Sequence, residues 1–187
     1  VFDVLSRSGL GSYVGIELPG EAYGKLSSEQ LKFPLVRASL AYGYGLSVSP
    51  IQMAQAYLTL ASHGLKIPIS LLRNNVEKNA PRVFDQAVTK EVLEMMELVT
   101  AKGGTASKAS VAGYRVAGKT GTVRKIGSDG YDDERHVAWF AGVIPVSDPR
   151  VVIVIVINEA KAGNSGGGAV AAPVFAEVAE RSMRVLG

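Results

Sequence analysis

The spacing of hydrophobic positions predicts three long helices. The first follows a Ser49-Pro50-Ile51-Gln52 capping box, with proline at the first helical position, and Gly64 ends its apolar repeat. The second stops at Gly103-Gly104, and the third has Pro173 near its start. Residues 1–5, four of which are apolar, are typical of the tail of a further helix, which suggests a fragment or a processed chain. The first helix is predicted to begin at Pro50, with its apolar repeat over residues 51–61, and the other two are predicted over residues 85–102 and 171–186.

After Gly113 the pattern changes to that of strands. Strands are predicted over residues 114–126, 137–146 and 150–158, joined by turns at 127–130 and 147–149. Short connections between successive strands are typical of an antiparallel meander. Residues 151–157 are apolar without alternation, which predicts that both faces of the last strand are covered. The expected fold class is α/β (α+β type), with a mostly antiparallel sheet covered by helices on both faces.

Composition narrows the function classes. The chain has 187 residues, of which 47% are hydrophobic and 20% charged, as expected for one globular domain. It contains no cysteine, so neither disulfides nor thiolate metal sites are present. The net charge of +3 comes from dispersed lysines and arginines, which does not favour nucleic-acid binding. The apolar run at 151–157 is far shorter than the ~20 residues that span a bilayer.

Candidate chemistry concentrates in residues 116–123, Val-Ala-Gly-Lys-Thr-Gly-Thr-Val. Gly118 and Gly121 allow a ligand to approach the backbone closely. Lys119 supplies a positive charge, and Thr120 and Thr122 supply hydroxyl donors. The stretch is therefore predicted to bind an anion.

One interpretation of this stretch is a phosphate loop. Gly113, Gly118, Lys119 and Thr120 match the pattern G-x-x-x-x-G-K-[ST]. That motif needs a buried strand before the loop and a helix that starts at the lysine. Glycines and β-branched residues follow Lys119 instead, so a P-loop nucleotide binder remains only an alternative.

The other interpretation is the K-T-G motif of penicillin-recognising serine acyl enzymes, at Lys119-Thr120-Gly121. It is supported by four longer stretches of sequence, residues 42–52, 113–122, 140–145 and 172–175. These stretches resemble class B penicillin-binding proteins, most closely the cell-division type of Gram-negative bacteria. The resemblance covers essentially all of residues 1–187 and identifies them as the C-terminal portion of a transpeptidase domain. It implies the penicillin-binding/β-lactamase-like fold, in incomplete form.

The resemblance implies a peptidoglycan D,D-transpeptidase that forms septal cross-links through a serine acyl-enzyme. The implied partners are a stem peptide ending in D-Ala-D-Ala, β-lactams that inhibit the reaction, and membrane proteins of the division complex. No nucleic acid, metal or organic cofactor is implied. The implied location is the periplasmic face of the inner membrane, with an anchor outside this chain.

Site roles follow from the same resemblance. Lys119 would add positive potential for the substrate carboxylate and take part in proton transfer. Thr120 and Thr122 would donate hydroxyl hydrogen bonds to that carboxylate, and the Thr122 backbone N–H would serve the oxyanion hole. Gly121 would let substrate lie along the strand edge. Tyr131, near the middle of a loop predicted over 124–136, would border the cleft and contact substrate.

The chain also departs from the family pattern. No serine is followed three residues later by lysine, and S-x-N is absent, so no nucleophile is assigned. Thr105-Ala106-Ser107-Lys108 is the nearest approach and is rejected because it follows a helix stop. We therefore predict that these 187 residues alone are not acylated. The glycine-rich segment 162–168, where relatives often carry an aromatic pair, is expected to be mobile. A non-catalytic scaffold of the division machinery remains a further alternative.

Overall fold

In the computed structural model, the chain folds into two units, Val1–Gln86 and Ala87–Gly187. The structure describes residues 1–72, 80–127, 130–160 and 166–187. Within these ranges, the first unit contains three α-helices, and the second contains a sheet and two α-helices. The helices of the first unit are α1 (Phe2–Arg7), α2 (Pro34–Leu40) and α3 (Pro50–Ala61).

Helix α3 organises the first unit through its N-terminus. The predicted capping box is confirmed: the Gln52 N–H donates to Ser49 Oγ, and the Ser49 N–H donates to Gln52 Oε1 at 3.0 Å. Gln52 is fully buried, and its amide also donates to the carbonyls of Ser12 and Tyr23. One side chain thus caps the helix and ties it to two earlier points of the chain, Ser12 and Tyr23.

Replacing Ser49 with alanine should lower the free energy of unfolding by about 1 kcal/mol, because a helix N–H loses its cap. Chemical denaturation of the intact protein that contains this chain would measure the loss. The matched control is Ser182→Ala, inside the helix Gly167–Leu186, where the hydroxyl donates back to the Val178 carbonyl. That control should stay within about 0.5 kcal/mol of the unsubstituted protein. Equal costs at the two serines would contradict a capping role.

The second unit consists of a three-stranded antiparallel sheet, in the order β1-β2-β3 among the described residues, and two long helices. In the β1–β2 register, Lys119 lies opposite Ala141 and Thr120 lies opposite Phe140. The elements are α4 (Gln86–Glu97), β1 (Ala117–Gly127), β2 (Gly130–Ile144), β3 (Val151–Ala160) and α5 (Gly167–Leu186).

Helix α5 packs on one face of this sheet and forms its core. The rings of Phe140 in β2 and Phe175 in α5 are fully buried and meet edge to face, with centroids 4.8 Å apart. The cross-strand pair Gly118 and Gly142 lies beneath these rings, so the helix approaches the sheet closely. A buried aromatic contact between α5 and β2 therefore helps to set the position of α5 on the sheet.

Several element boundaries differ from the prediction. Helix α2 was not predicted, and α4 ends at Glu97 instead of residue 102. Strand β2 begins at Gly130 instead of 137, so the predicted loop over 124–136 is wrong: residues 124–127 belong to β1 and residues 130–136 belong to β2. The extension has charged, largely exposed side chains, because a two-stranded hairpin needs no buried face. The hydrophobic pattern therefore did not predict it. Helix α5 starts at Gly167, which places Pro173 inside the helix.

None of the helices in the described ranges combines the length and the apolar character needed to cross a membrane.

Candidate active site

The predicted anion-binding residues 119–122 lie on β1, at an edge of the described sheet. Side chains alternate along a strand, so Thr120 and Thr122 face the N-terminus of α5, whereas Lys119 and Gly121 lie on the other side. A helix does not start at Lys119. The phosphate-loop interpretation therefore lacks the helix on which its chemistry depends.

Thr122 is joined to the first residue of α5. Its Oγ1 accepts a hydrogen bond from the Gly167 N–H at 3.1 Å. The N-cap residue of this helix, Gly166, has no side chain that could cap it, so a hydroxyl from the sheet takes that role. Because an acceptor site of this hydroxyl is occupied by Gly167, its O–H is left to donate elsewhere.

Lys119 places its ammonium over the neighbouring threonine. Its Nζ donates to the Thr120 carbonyl at 3.1 Å and lies 3.5 Å from Thr120 Oγ1. The lysine side chain is exposed, and no acidic partner neutralises it among the described residues of its unit. A positive charge and a hydroxyl thus stand together at the strand edge.

Unlike Lys119, the neighbouring cations Arg115 and Lys125 are each paired with a carboxylate. Arg115 makes a bidentate pair with Glu97, with nitrogen–oxygen distances of 2.6 and 3.0 Å. This hydrogen-bonded carboxylate raises the pKa of the Arg115 guanidinium. Lys125 pairs with Glu159 at 2.7 Å. In contrast, the Lys119 ammonium has no carboxylate partner among the described residues of its unit, and its charge is open to a ligand anion.

Thr105 is a site residue that the sequence did not indicate. Its Oγ1 lies 3.4 Å from Thr120 Oγ1, although the two residues are 15 positions apart. Its carbonyl oxygen lies against the first turn of α5, where a Cβ on Gly168 would come within 1.9 Å of it. The only sequence signal was the rejected motif at residues 105–108, which pointed to other chemistry.

The packing of the sheet itself requires a glycine at position 121. A Cβ at this position would lie 1.9 Å from the indole ring of Trp139, its cross-strand partner. The glycine therefore makes room for Trp139 on the Lys119 side of the sheet. The sequence predicted a small residue here to admit substrate, and did not indicate the tryptophan.

Tyr131 is not brought together with residues 119–122. It lies in β2 opposite Ile126, four residues beyond Thr122, which corresponds to ~13 Å along an extended strand. Its side chain is 57% exposed. A substrate contact by Tyr131 remains a prediction, and residues 162–165 of the segment expected to be mobile lie outside the described residues.

No group of three or more histidine, aspartate and glutamate side chains in the described ranges could hold a metal ion.

Comparison with known proteins identifies the family. The model of the penicillin-binding protein transpeptidase domain matches residues 1–180. Peptidoglycan D,D-transpeptidase FtsI of Escherichia coli is 40% identical over 184 residues, which cover 98% of this chain and 31% of that protein. Probable peptidoglycan D,D-transpeptidase PenA of Neisseria gonorrhoeae is 35% identical over 187 residues, covering 100% of this chain and 32% of the relative. The chain thus spans about a third of the length of these curated relatives.

Solved structures agree with this assignment. The apo transpeptidase domain of penicillin-binding protein 3 from Burkholderia pseudomallei superposes with a TM-score of 0.91 at 35% identity, covering 100% of this chain and 57% of that one. A structure described as a peptidoglycan glycosyltransferase from Burkholderia ambifaria gives a TM-score of 0.85 at 34% identity, covering 99% and 55%. The predicted fold class is confirmed by these matches. The chain belongs to the penicillin-binding protein transpeptidase domain family.

Proposed function

We propose that the intact protein containing this chain is a peptidoglycan D,D-transpeptidase, and that residues 119–122 bind the terminal carboxylate of its substrate. The observation that carries this proposal is the exposed Lys119 ammonium, which meets the Thr120 carbonyl and hydroxyl at 3.1 and 3.5 Å and has no acidic partner in the described part of its unit. The curated relatives are named as peptidoglycan D,D-transpeptidases, which supports the same activity.

The geometry fits a carboxylate at the edge of β1. The N-terminus of α5 carries a partial positive charge, and the hydroxyls of Thr120 and Thr122 lie beside that terminus. A hydrogen bond from a neutral donor to a charged group contributes ~1.5–3 kcal/mol, and the ammonium adds attraction over a longer range. An extended stem peptide would add as a strand along the open edge, with its carboxylate next to Lys119.

In the proposed reaction, a serine hydroxyl attacks the penultimate D-Ala carbonyl and terminal D-Ala leaves as its free amine. An amine of a second strand then attacks the acyl-enzyme, forms the cross-link and releases the serine. The Thr122 N–H would stabilise the oxyanion in both steps. This chain has no S-x-x-K motif, so the proposal assigns the nucleophile to residues outside it. β-Lactams would trap the acyl-enzyme, and the setting would be septal wall synthesis on the periplasmic side of the membrane.

Labelling with a fluorescent penicillin tests the proposal. The intact protein should form a covalent adduct that survives denaturation, and excess unlabelled penicillin should prevent it. The isolated 187-residue chain should form no adduct, because it holds no serine in the nucleophile motif. An adduct on the isolated chain would contradict the assignment of the nucleophile. Absence of an adduct on the folded intact protein would favour the alternative, a non-catalytic scaffold of the division machinery.

A further inference from the structure

We propose that Thr105 is a positioning residue that sets the direction of the Thr120 hydroxyl. This inference rests on the proposed function, because it concerns the carboxylate site at residues 119–122. Two observations support it: the two threonine hydroxyl oxygens are 3.4 Å apart, and the backbone around Thr105 is held by contacts on both sides.

The backbone holds Thr105 firmly in place. The next residue, Ala106, is buried, and its N–H donates to the Val99 carbonyl at 2.8 Å. On the other side, the Thr105 carbonyl lies in the space that a side chain at Gly168 would occupy. Thr105 is thus fixed between the end of one helix and the start of α5, while its own side chain is exposed.

The hydrogen-bond sites on Thr120 show what a contact donated by Thr105 would leave for a ligand. A threonine hydroxyl has one donor hydrogen and two lone pairs. Lys119 Nζ is a donor only and takes one lone pair, at 3.5 Å. If Thr105 donates to the second lone pair, the single Thr120 hydrogen has no remaining role within the protein and is free for a ligand. Thr120 is then an obligate donor, which is what a carboxylate requires.

Both contacts are long for hydrogen bonds between these groups, at 3.4 and 3.5 Å. Contacts of this kind commonly tighten when a ligand arrives. A carboxylate that accepts the Thr120 hydrogen polarises the hydroxyl and strengthens both bonds that Thr120 accepts. The effect of Thr105 should therefore be felt with an anionic ligand and be absent with a neutral one.

The test compares Thr105→Val, Thr105→Ser and Ser107→Ala in the intact protein. Ser107 is an exposed hydroxyl residue on the same segment and serves as the matched control. The measurement is the second-order rate constant of acylation by a penicillin with a free carboxylate and by its neutral methyl ester. The thermal unfolding midpoint of each variant is recorded beside it.

We expect Thr105→Val to slow acylation by the carboxylate form about three- to tenfold and to leave the ester rate unchanged, since one hydrogen bond to a polarised hydroxyl is lost. Thr105→Ser should restore the rate, and Ser107→Ala should match the unsubstituted protein. An unchanged carboxylate rate, or an equal loss for both ligands, would overturn the proposal. A faster carboxylate reaction would also overturn it, because Thr105 would then be accepting the Thr120 hydrogen. Failure of the unsubstituted protein to react with either ligand would overturn the proposed function itself.

Discussion

Replacement of Lys119 by methionine in the intact protein should slow acylation by penicillin on the order of a hundredfold or more. Two unit charges ~4 Å apart near a protein surface attract by about 4 kcal/mol, and each ~1.4 kcal/mol corresponds to a tenfold change in rate. Methionine keeps an unbranched side chain only one atom shorter than that of lysine, and it removes the charge. The measurement is the second-order rate constant for labelling with a fluorescent penicillin, taken together with the thermal unfolding midpoint.

Lys125→Met is the matched control for this loss. It removes a second lysine from the same strand, one whose charge is already paired with Glu159 at 2.7 Å. Exposed ion pairs contribute little, ~0–1 kcal/mol, so its acylation rate should change by no more than a few-fold. A similar loss in the two variants would show that general positive potential matters and would contradict a specific role for Lys119. A near-normal rate in Lys119→Met would remove Lys119 from the proposed carboxylate site.

Local patterns in the sequence predict the strand at residues 119–122 and the capping box of α3. Both depend on neighbours within a few residues: β-branched side chains between turn signals, and a serine three residues before a glutamine. Such features are decided by short-range sterics and hydrogen bonds. The same holds for the absence of a helix after Lys119, because the glycines and β-branched residues that follow the lysine already disfavour a phosphate loop.

The contacts that complete the candidate site could not be obtained in this way. Thr105 and Thr120 are separated by 15 positions, and Thr122 and Gly167 by 45. Thr122 meets Gly167 because α5 packs on the sheet, where Phe175 of the helix contacts Phe140 of β2. Thr105 reaches Thr120 from a separate segment, whose carbonyl oxygen lies against the first turn of the same helix. No local pattern encodes the side on which a helix docks, so the partners of the two threonines emerge only from the fold.

The sequence pattern predicts the start of α5 too late in the chain, for a related reason. Glycine is a poor helix former, so the sequence favoured a helix that began at 171, close to Pro173. The helix starts four residues earlier, at Gly167, where the backbone approaches the sheet and a hydroxyl of β1 caps it. The tertiary contact outweighs the helix propensity of glycine at this position.

Replacement of Gly167 by alanine should disrupt that contact between α5 and β1. A Cβ at position 167 would come within 2.3 Å of the Trp139 carbonyl oxygen and 2.7 Å of the Gly121 carbonyl oxygen. Both atoms belong to the backbone of paired strands and cannot move aside independently. The first turn of α5 must therefore shift away from β1, and the hydrogen bond between the Gly167 N–H and Thr122 must lengthen.

We expect Gly167→Ala to lower the free energy of unfolding by about 2–4 kcal/mol, from overpacking together with the weakened cap, and to slow penicillin acylation about tenfold. Gly166→Ala is the matched control one residue earlier. Its backbone is extended, with φ −71° and ψ 149°, and among the described residues a Cβ there would meet only Thr122 Oγ1, at 3.8 Å. That variant should lose at most about 1 kcal/mol, the cost of alanine at an N-cap, and keep its acylation rate. Denaturation curves and labelling rates of the two variants would decide the matter, since equal behaviour at 166 and 167 would mean that close contact between α5 and β1 does not support the site.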